Sequence, residues 1–238
     1  MSEPGPRTAL VTGASRGIGL EVSRLLARDG IRVAMLARSA NELEARAREI
    51  GSDALAIRCD ISDSNDVAAA IQHVTREFGG APSIVVNNAG LFNLATIEKT
   101  DLAAFRSALD INLVAPFLIA RAFIEEMRAR RDGHIVTIGS IADRSVFPEN
   151  AAYASSKYGV RALHEVLRAE LRGSGVRTTL VSPAQVDTAM WDEIDPDSRP
   201  GFTRRRDMLS ASAVAAAVHY AVSQPADVNV DELRISHS

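Results

Sequence analysis

Short apolar runs rich in valine and isoleucine recur at Ala9–Val11, Val33–Ala37, Ala54–Ile57, Ile84–Val86, Ile135–Ile138 and Thr178–Val181, with longer stretches of helical period between them. The runs are continuous rather than alternating, the pattern of strands buried on both faces. Such strands belong in a parallel sheet with helices on either side. Helices are predicted at Gly17–Arg28, Asn41–Ile50, Asp63–Phe78, Asp101–Arg130, Ala151–Arg172 and Ala211–Ser223. Ser62 or Asp63 and Thr100 or Asp101 stand where N-caps are expected, and Gly79-Gly80 and Gly173 follow helix ends. A last strand is expected in Val228–Ile235. The fold class is thus α/β, a doubly wound parallel sheet, in one domain spanning 1–238. Residues 187–207 break the alternation with Pro196, Pro200, Gly201 and the run Arg204-Arg205-Arg206, and are expected to form a flexible substrate flap over the strand ends.

A hydrophobic fraction of 46% over 238 residues is enough for a substantial core. The net charge of -3 gives no overall attraction to nucleic acid or anionic lipid. Cys59 is the sole cysteine, which rules out an internal disulfide and a cysteine metal cage. His73, His134, His164, His219 and His237 are scattered without ligand spacing, so no metal is expected. Met1–Pro6 is polar, and Ala9–Val11 is too brief for a signal core or a membrane span. The expectation is a cytoplasmic chain with no nucleic-acid or membrane partner.

After the first strand comes Thr12-Gly13-Ala14-Ser15-Arg16-Gly17-Ile18-Gly19, opening directly into a helix. Glycines there admit positive φ and close approach of a pyrophosphate, whose charge the helix N-terminal amides and dipole hold. The spacing is G-x-x-x-G-x-G, which departs from the commoner dinucleotide fingerprint G-x-G-x-x-G. After the second strand the chain reads Leu36-Ala37-Arg38-Ser39, with no carboxylate for a ribose 2′-hydroxyl. Arg38, and Arg16 in the turn, suit a 2′-phosphate instead, so NADP(H) is favoured over NAD(H).

Tyr153 and Lys157 lie four apart in a helical stretch and so share one face. A phenol is a poor acid or base at neutrality unless a nearby positive charge stabilises its anion, and Lys157 is placed to do so.

Taken in order, Thr12-Gly13-x-x-x-Gly17-Ile18-Gly19, Asp60, Asn87-Asn88-Ala89-Gly90, Asn112, Ser140 and the Tyr153/Lys157 pair resemble the short-chain dehydrogenases/reductases over nearly the whole chain. The resemblance implies a Rossmann-type fold and an NADP(H)-dependent oxidoreductase that interconverts a carbonyl and a secondary alcohol. It implies that Gly13, Ser15, Arg16, Gly17, Ile18 and Gly19 cradle the cofactor, that Asp60 and Ile61 contact its adenine, and that Asn88, Ala89 and Gly90 wall the site. Read on its own, Asp60 is equally a loop or capping carboxylate. Tyr153 is implied as general acid/base, Ser140 as donor to the substrate oxygen, Lys157 as ligand of the nicotinamide ribose that lowers the Tyr153 pKa, and Asn112 as holder of a relay water. Pro183, the Val186 backbone and the Thr188 hydroxyl are implied to meet the nicotinamide end. Ala184 departs from the glycine usual there, and costs strain only if φ is positive.

The substrate is expected among Phe92, Phe147, Met190 and Trp191, with Asp143, Arg144, Asn150 or Gln185 to orient a polar group. The tail at 226–233 resembles that of members acting on short 3-hydroxy acids and related alcohols. Were the substrate a carboxylate, Arg144 or the run Arg204-Arg205-Arg206 would hold it. The family also implies a homo-oligomer, tetramer or dimer, built on the two long helices. The alternative is a non-catalytic NADPH sensor on the same fold, since fold alone does not establish chemistry.

Overall fold

Strand β1 (Thr8–Thr12) shows why the apolar runs are continuous: Ala9 and Val11 join the core on one face of the sheet and Leu10 joins the core on the other. The structure, a computed structural model, describes residues 7–238, and the reading of Met1–Pro6 lies outside the described residues. Strands β2 (Arg32–Ala37), β3 (Ala54–Arg58), β4 (Ile84–Asn87), β5 (Gly133–Ile138), β6 (Val176–Pro183) and, after two short strands described below, β9 (Glu232–Ile235) complete a seven-stranded sheet of order β3-β2-β1-β4-β5-β6-β9. All of its pairings are parallel. Helices α1 (Gly17–Arg28) and α2 (Ala40–Ile50) and, late in the chain, α7 (Ala211–Val222) bury Leu20, Leu26, Leu43 and Val218 on one face. Helices α3 (Ser64–Phe78) and α5 (Ala115–Arg130) bury Val67, Val74, Ile119 and Phe123 on the other, beside α6 (Ala151–Glu170). The strand order reverses between β1 and β4. That switch point opens a crevice beyond the carboxyl ends of the strands, where a doubly wound sheet binds its ligand.

Asp63 and Asp101 are the N-caps that close the two open alternatives, accepting from the amides of Asn65 and Ala104. Gly79 ends α3 in the left-handed region. The single helix expected over Asp101–Arg130 is interrupted: α4 (Leu102–Leu109) passes into a π turn at Asp110–Val114 before α5. Pro116 has no N–H to offer the Asn112 carbonyl, so the regular bond one turn back cannot form there. An 18-residue stretch within Leu102–Arg130 reaches a mean hydropathy of 1.6, yet the span buries Ile119, Phe123 and Met127 against the sheet as a core helix does.

The region expected as a flap leaves the sheet through β7 (Val186–Asp187) and returns through β8 (Leu209–Ser210), which pair in parallel as its stem. Between them the chain makes short 3-10 turns at Ala189–Trp191, Pro196–Ser198 and Arg205–Asp207. The last strand is shorter than expected because Asn229 bonds Thr178 through its side chain, and Val230 takes the Thr179 hydroxyl, in place of ladder bonds.

Candidate active site

At the end of β1 the backbone turns through Gly13 (φ +64°) and Gly17 (φ +57°), both in the left-handed region. A Cβ on Gly13 would lie 2.9 Å from the Ala89 Cα, and one on Gly19 would collide with the Gly13 carbonyl oxygen and stand 2.5 Å from Asn88 Nδ2. The turn is this tight because Asn88 Nδ2 donates to the carbonyls of Thr12 (2.8 Å) and Gly13 (3.2 Å), while Thr12 Oγ1 accepts from the amides of Asn88 and Ala89, each at 3.0 Å. Thr12 thus ties the glycine turn to the end of β4, a role that its place in the motif did not disclose. No side chain caps α1 at Arg16 and no acidic residue stands in its first turn, so its amino end is free for an anion.

A cavity of about 970 Å³ runs from this turn across the strand ends. At one end it is lined by Arg16, Arg38, Asp60 and Ile61, and along its wall by Ala89 and Gly90. Both arginines are exposed, and no hydrogen bond or ion pair holds either among the described residues. The hydroxyl and amide of Ser62 hold the Asp60 carboxyl below its usual range, and the Arg38 charge adds to this. These residues fit a dinucleotide with a phosphorylated ribose: a cradle without room for side chains, an uncapped helix end and two free guanidinium groups at the far wall.

Towards the other end the cavity is lined by Ser140, just past β5, and by Tyr153 and Lys157 in the first turns of α6. Burial, with the nearby Asp143 charge, pushes the Tyr153 phenol up to about 12 against the lowering influence of the neighbouring Ser140 hydroxyl. Lys157 Nζ donates to the Ile138 carbonyl at 2.8 Å and sits 5.6 Å from the centre of the Tyr153 ring. Burial pulls the ammonium down to about 8, against the Asp143 charge. The phenol sits above its ordinary value despite Lys157, because burial dominates both groups; the ammonium gives one of its three N–H groups to the Ile138 carbonyl. Asn112 lies in the π turn, its side chain held by three hydrogen bonds. Its Oδ1 accepts from Leu91 N at 2.8 Å, and its Nδ2 donates to Leu91 O at 2.9 Å and to Ser156 Oγ at 2.8 Å. Ser156 in turn donates to the Tyr153 carbonyl, so the Asn112 side chain clamps the loop after β4 to the first turn of α6.

Asp143 and Arg144, expected near the substrate, are not in the cavity wall. Asp143 is fully buried, accepting from Arg144 Nε at 2.7 Å, from the Ser182 hydroxyl and from the Ser140 amide at 3.4 Å. Arg144 also pairs with Glu232 on β9 at 2.5 Å. A buried charge is tolerated when paired and hydrogen-bonded, and this network turns both side chains away from the ligand. Within the flap run Arg205 is spent likewise, on Asp187 at 3.0 Å and Asp192 at 2.5 Å, while Arg204 and Arg206 are exposed, and all three stand outside the cavity wall.

Residues 7–199 match the family model of the short chain dehydrogenases. The chain belongs to that family. Similar proteins include an uncharacterized oxidoreductase of Staphylococcus saprophyticus, 32% identical over 100% of this chain and 98% of the relative. A dehydrogenase/reductase of the same family from Homo sapiens, family member 11, is 32% identical over 99% of this chain and 97% of the relative. Among solved structures, a metagenomic short-chain oxidoreductase in complex with NADP is 31% identical with a TM-score of 0.83, covering 98% of this chain and 97% of that one. An alcohol dehydrogenase from the archaeon Thermococcus sibiricus, complexed with 5-hydroxy-NADP, is 30% identical with a TM-score of 0.85, covering 96% and 95%.

In this short-chain dehydrogenase the departure at Ala184 is free of strain, since its φ is not positive and its amide bonds the Ile235 carbonyl at 2.8 Å. Pro183, Val186 and Thr188 line the cavity as expected. The Val186 carbonyl already accepts from the Trp191 indole at 3.1 Å, and a Cβ on Gly17 would meet Thr188 Cγ2 at 3.4 Å, so the start of the flap lies against the glycine turn. Phe92, Phe147, Met190 and Trp191 line the substrate end together with Asn150 and Gln185. Phe92 packs edge-on against Tyr153 (4.7 Å) and Trp191 (5.1 Å), and Trp191 against Phe202 (6.4 Å). Phe202, which lines the cavity, stands outside any motif, and Ser156, at an unspecified position between Tyr153 and Lys157, gains its role only from its bond to Asn112.

Proposed function

We propose that this oxidoreductase interconverts a carbonyl and a secondary alcohol with NADP(H), Tyr153 acting as general acid/base. The observation that carries the reading is that Ser140 and Tyr153 stand together in the wall of the same cavity whose far end holds the glycine turn and two free arginines. Gly13, Ser15, Gly17, Ile18 and Gly19 hold the pyrophosphate on the amino end of α1. Arg16 and Arg38 hold a 2′-phosphate, Asp60 and Ile61 face the adenine, and Val186 and Thr188 orient the nicotinamide. When bound, the cofactor supplies the hydride that reaches the carbonyl carbon.

The remaining work belongs to the side chains. Ser140 donates to the carbonyl oxygen as negative charge gathers on it, and Tyr153 Oη delivers the proton. A phenol pushed up to about 12 is protonated at neutral pH, which suits the reductive direction. Lys157 fixes the ribose and is the cation nearest the phenol. Asn112 holds the relay end of the site in place through Leu91 and Ser156. Residues 187–207 close over the substrate as a lid. Leu102, Val114 and Phe117 on α4–α5, and Tyr158 and Val166 on α6, are exposed apolar residues that suit pairing with a second copy, as a dimer or tetramer in the cytoplasm.

The test is NADPH oxidation across aldehydes, ketones and 3-oxo esters beside Tyr153→Phe. Turnover that this change reduces by 10³-fold or more, on the order expected for losing a general acid together with its hydrogen bond, supports the reading. Full activity in Tyr153→Phe sinks it.

A further inference from the structure

The substrate end of the cavity has a one-sided charge. Apart from Arg16 and Arg38 at the cofactor's phosphate end, the only cation lining the cavity among the described residues is Lys157, whose ammonium donates to the Ile138 carbonyl. The acids facing the substrate end are Glu149, Asp192 and Glu193. Asp192 is neutralised by Arg205, but Glu149 and Glu193 are exposed and have no partner among the described residues. They approach from different elements, Glu149 from the loop before α6 and Glu193 from the flap. Between them the wall is apolar, built of Phe92, Phe147, Met190 and Trp191. Among the polar groups of this end, Asn150 is 5% exposed, and its Oδ1 is buried without a hydrogen-bond partner. An orphaned buried acceptor is costly until a donor reaches it.

We infer, building on the carbonyl-reductase reading, that the site selects a non-acidic carbonyl compound with an apolar body and a hydrogen-bond donor for Asn150, and that it rejects carboxylates. A carboxylate entering this end finds no cation in the wall beyond Lys157, and two like charges beside an aromatic surface, whose repulsion, though screened at exposed positions, disfavours the acid against its ester. Of the substrates suggested by the chain's tail, the short 3-hydroxy acids, and an arginine clamp for them, do not agree with this arrangement, whereas the related alcohols do.

Trp191, the sole tryptophan of the chain, stands in the cavity and reads binding without turnover. The experiment titrates the NADPH-loaded protein with matched pairs, each a 3-oxo ester beside its own free acid, following Trp191 fluorescence, and then measures kcat/KM for the same compounds. The ester is expected to bind at least tenfold more tightly than its acid. Glu149→Gln/Glu193→Gln is expected to narrow that ratio threefold or more, through the acid alone. Asn150→Ala is expected to weaken esters that carry a hydroxyl donor and to leave those without one unchanged. Equal or tighter binding of the acids, a ratio unmoved in the double variant, or no quenching by either member of any pair overturns the inference. Binding with the expected preference but no turnover leaves it standing and counts against the reductase reading instead.

Discussion

Replacing Lys157 by methionine should reveal what this side chain costs the fold. Lys157 is 5% exposed, and burial pulls its ammonium from 10.5 to about 8. Between those values the unfolded chain binds the proton more readily than the folded one, so stability rises with pH across the window. At about 1.4 kcal/mol per pKa unit, the charged lysine withholds roughly 3 kcal/mol at pH 7 that returns by pH 10.5. Methionine keeps most of the stem volume and cannot ionise, although it strands the Ile138 carbonyl that Nζ now satisfies. Unfolding free energies by urea at pH 7, 8.5 and 10 should therefore converge. The stability of the natural chain relative to Lys157→Met should climb by roughly 2–3 kcal/mol from pH 8 to 10, while the variant loses activity at every pH. Curves that run parallel over that window would refute the claim that burial of the ammonium dominates this site.

Gly19→Ala should cost about 1–3 kcal/mol from overpacking, because the new methyl collides with the Gly13 carbonyl and the Asn88 amide. Calorimetry should show Tm lowered by several degrees, together with weaker NADPH binding, and an unchanged Tm would mean that the turn is looser than it looks. Arg38→Ala should weaken NADPH roughly 10- to 100-fold, the worth of one charge-assisted bond to a phosphate, and leave NADH unchanged; equal losses for both cofactors in equilibrium titrations would place the arginine elsewhere. His134 bonds Thr179 Oγ1, which itself donates to the Val230 carbonyl, so the ring donates through Nε2 and leaves Nδ1 buried without a partner. Burial pulls this imidazole down to about 3. As pH falls from 6.5 the unfolded chain takes up the proton first and stability is lost, by about 2 kcal/mol between pH 6 and 4.5. His134→Leu should flatten that acid limb in denaturant titrations, and an unaltered slope would remove the ring from the account.

Much of the molecule is written in neighbouring residues. The continuous runs around Val33 and Ile135 mark strands covered on both faces, the glycines at 13, 17 and 19 mark a turn that admits no side chain, and the spacing of Tyr153 and Lys157 puts them on one face of α6. Each of these is a short-range constraint of backbone geometry or period, so local sequence is sufficient to state it. The π turn at Asn112 was within reach too, since Pro116 removes the N–H that a regular helix needs there.

The division of labour among polar residues was not legible in the same way. Arg144 and Asp143 looked like pocket residues beside Ser140, and Asn150 looked no better than they did. What separates them is Glu232 and Ser182, supplied by strands far along the chain, which capture Arg144 and Asp143 and leave Asn150 facing the cavity. Thr12 and Ser156 acquire their roles in the same fashion, from partners at Ala89 and Asn112. The sequence by itself determined the sheet, the glycine turn and the order of the motifs. Only the tertiary structure decided which charges are spent on one another and which remain for a ligand, because that depends on distances between segments that chain order does not encode.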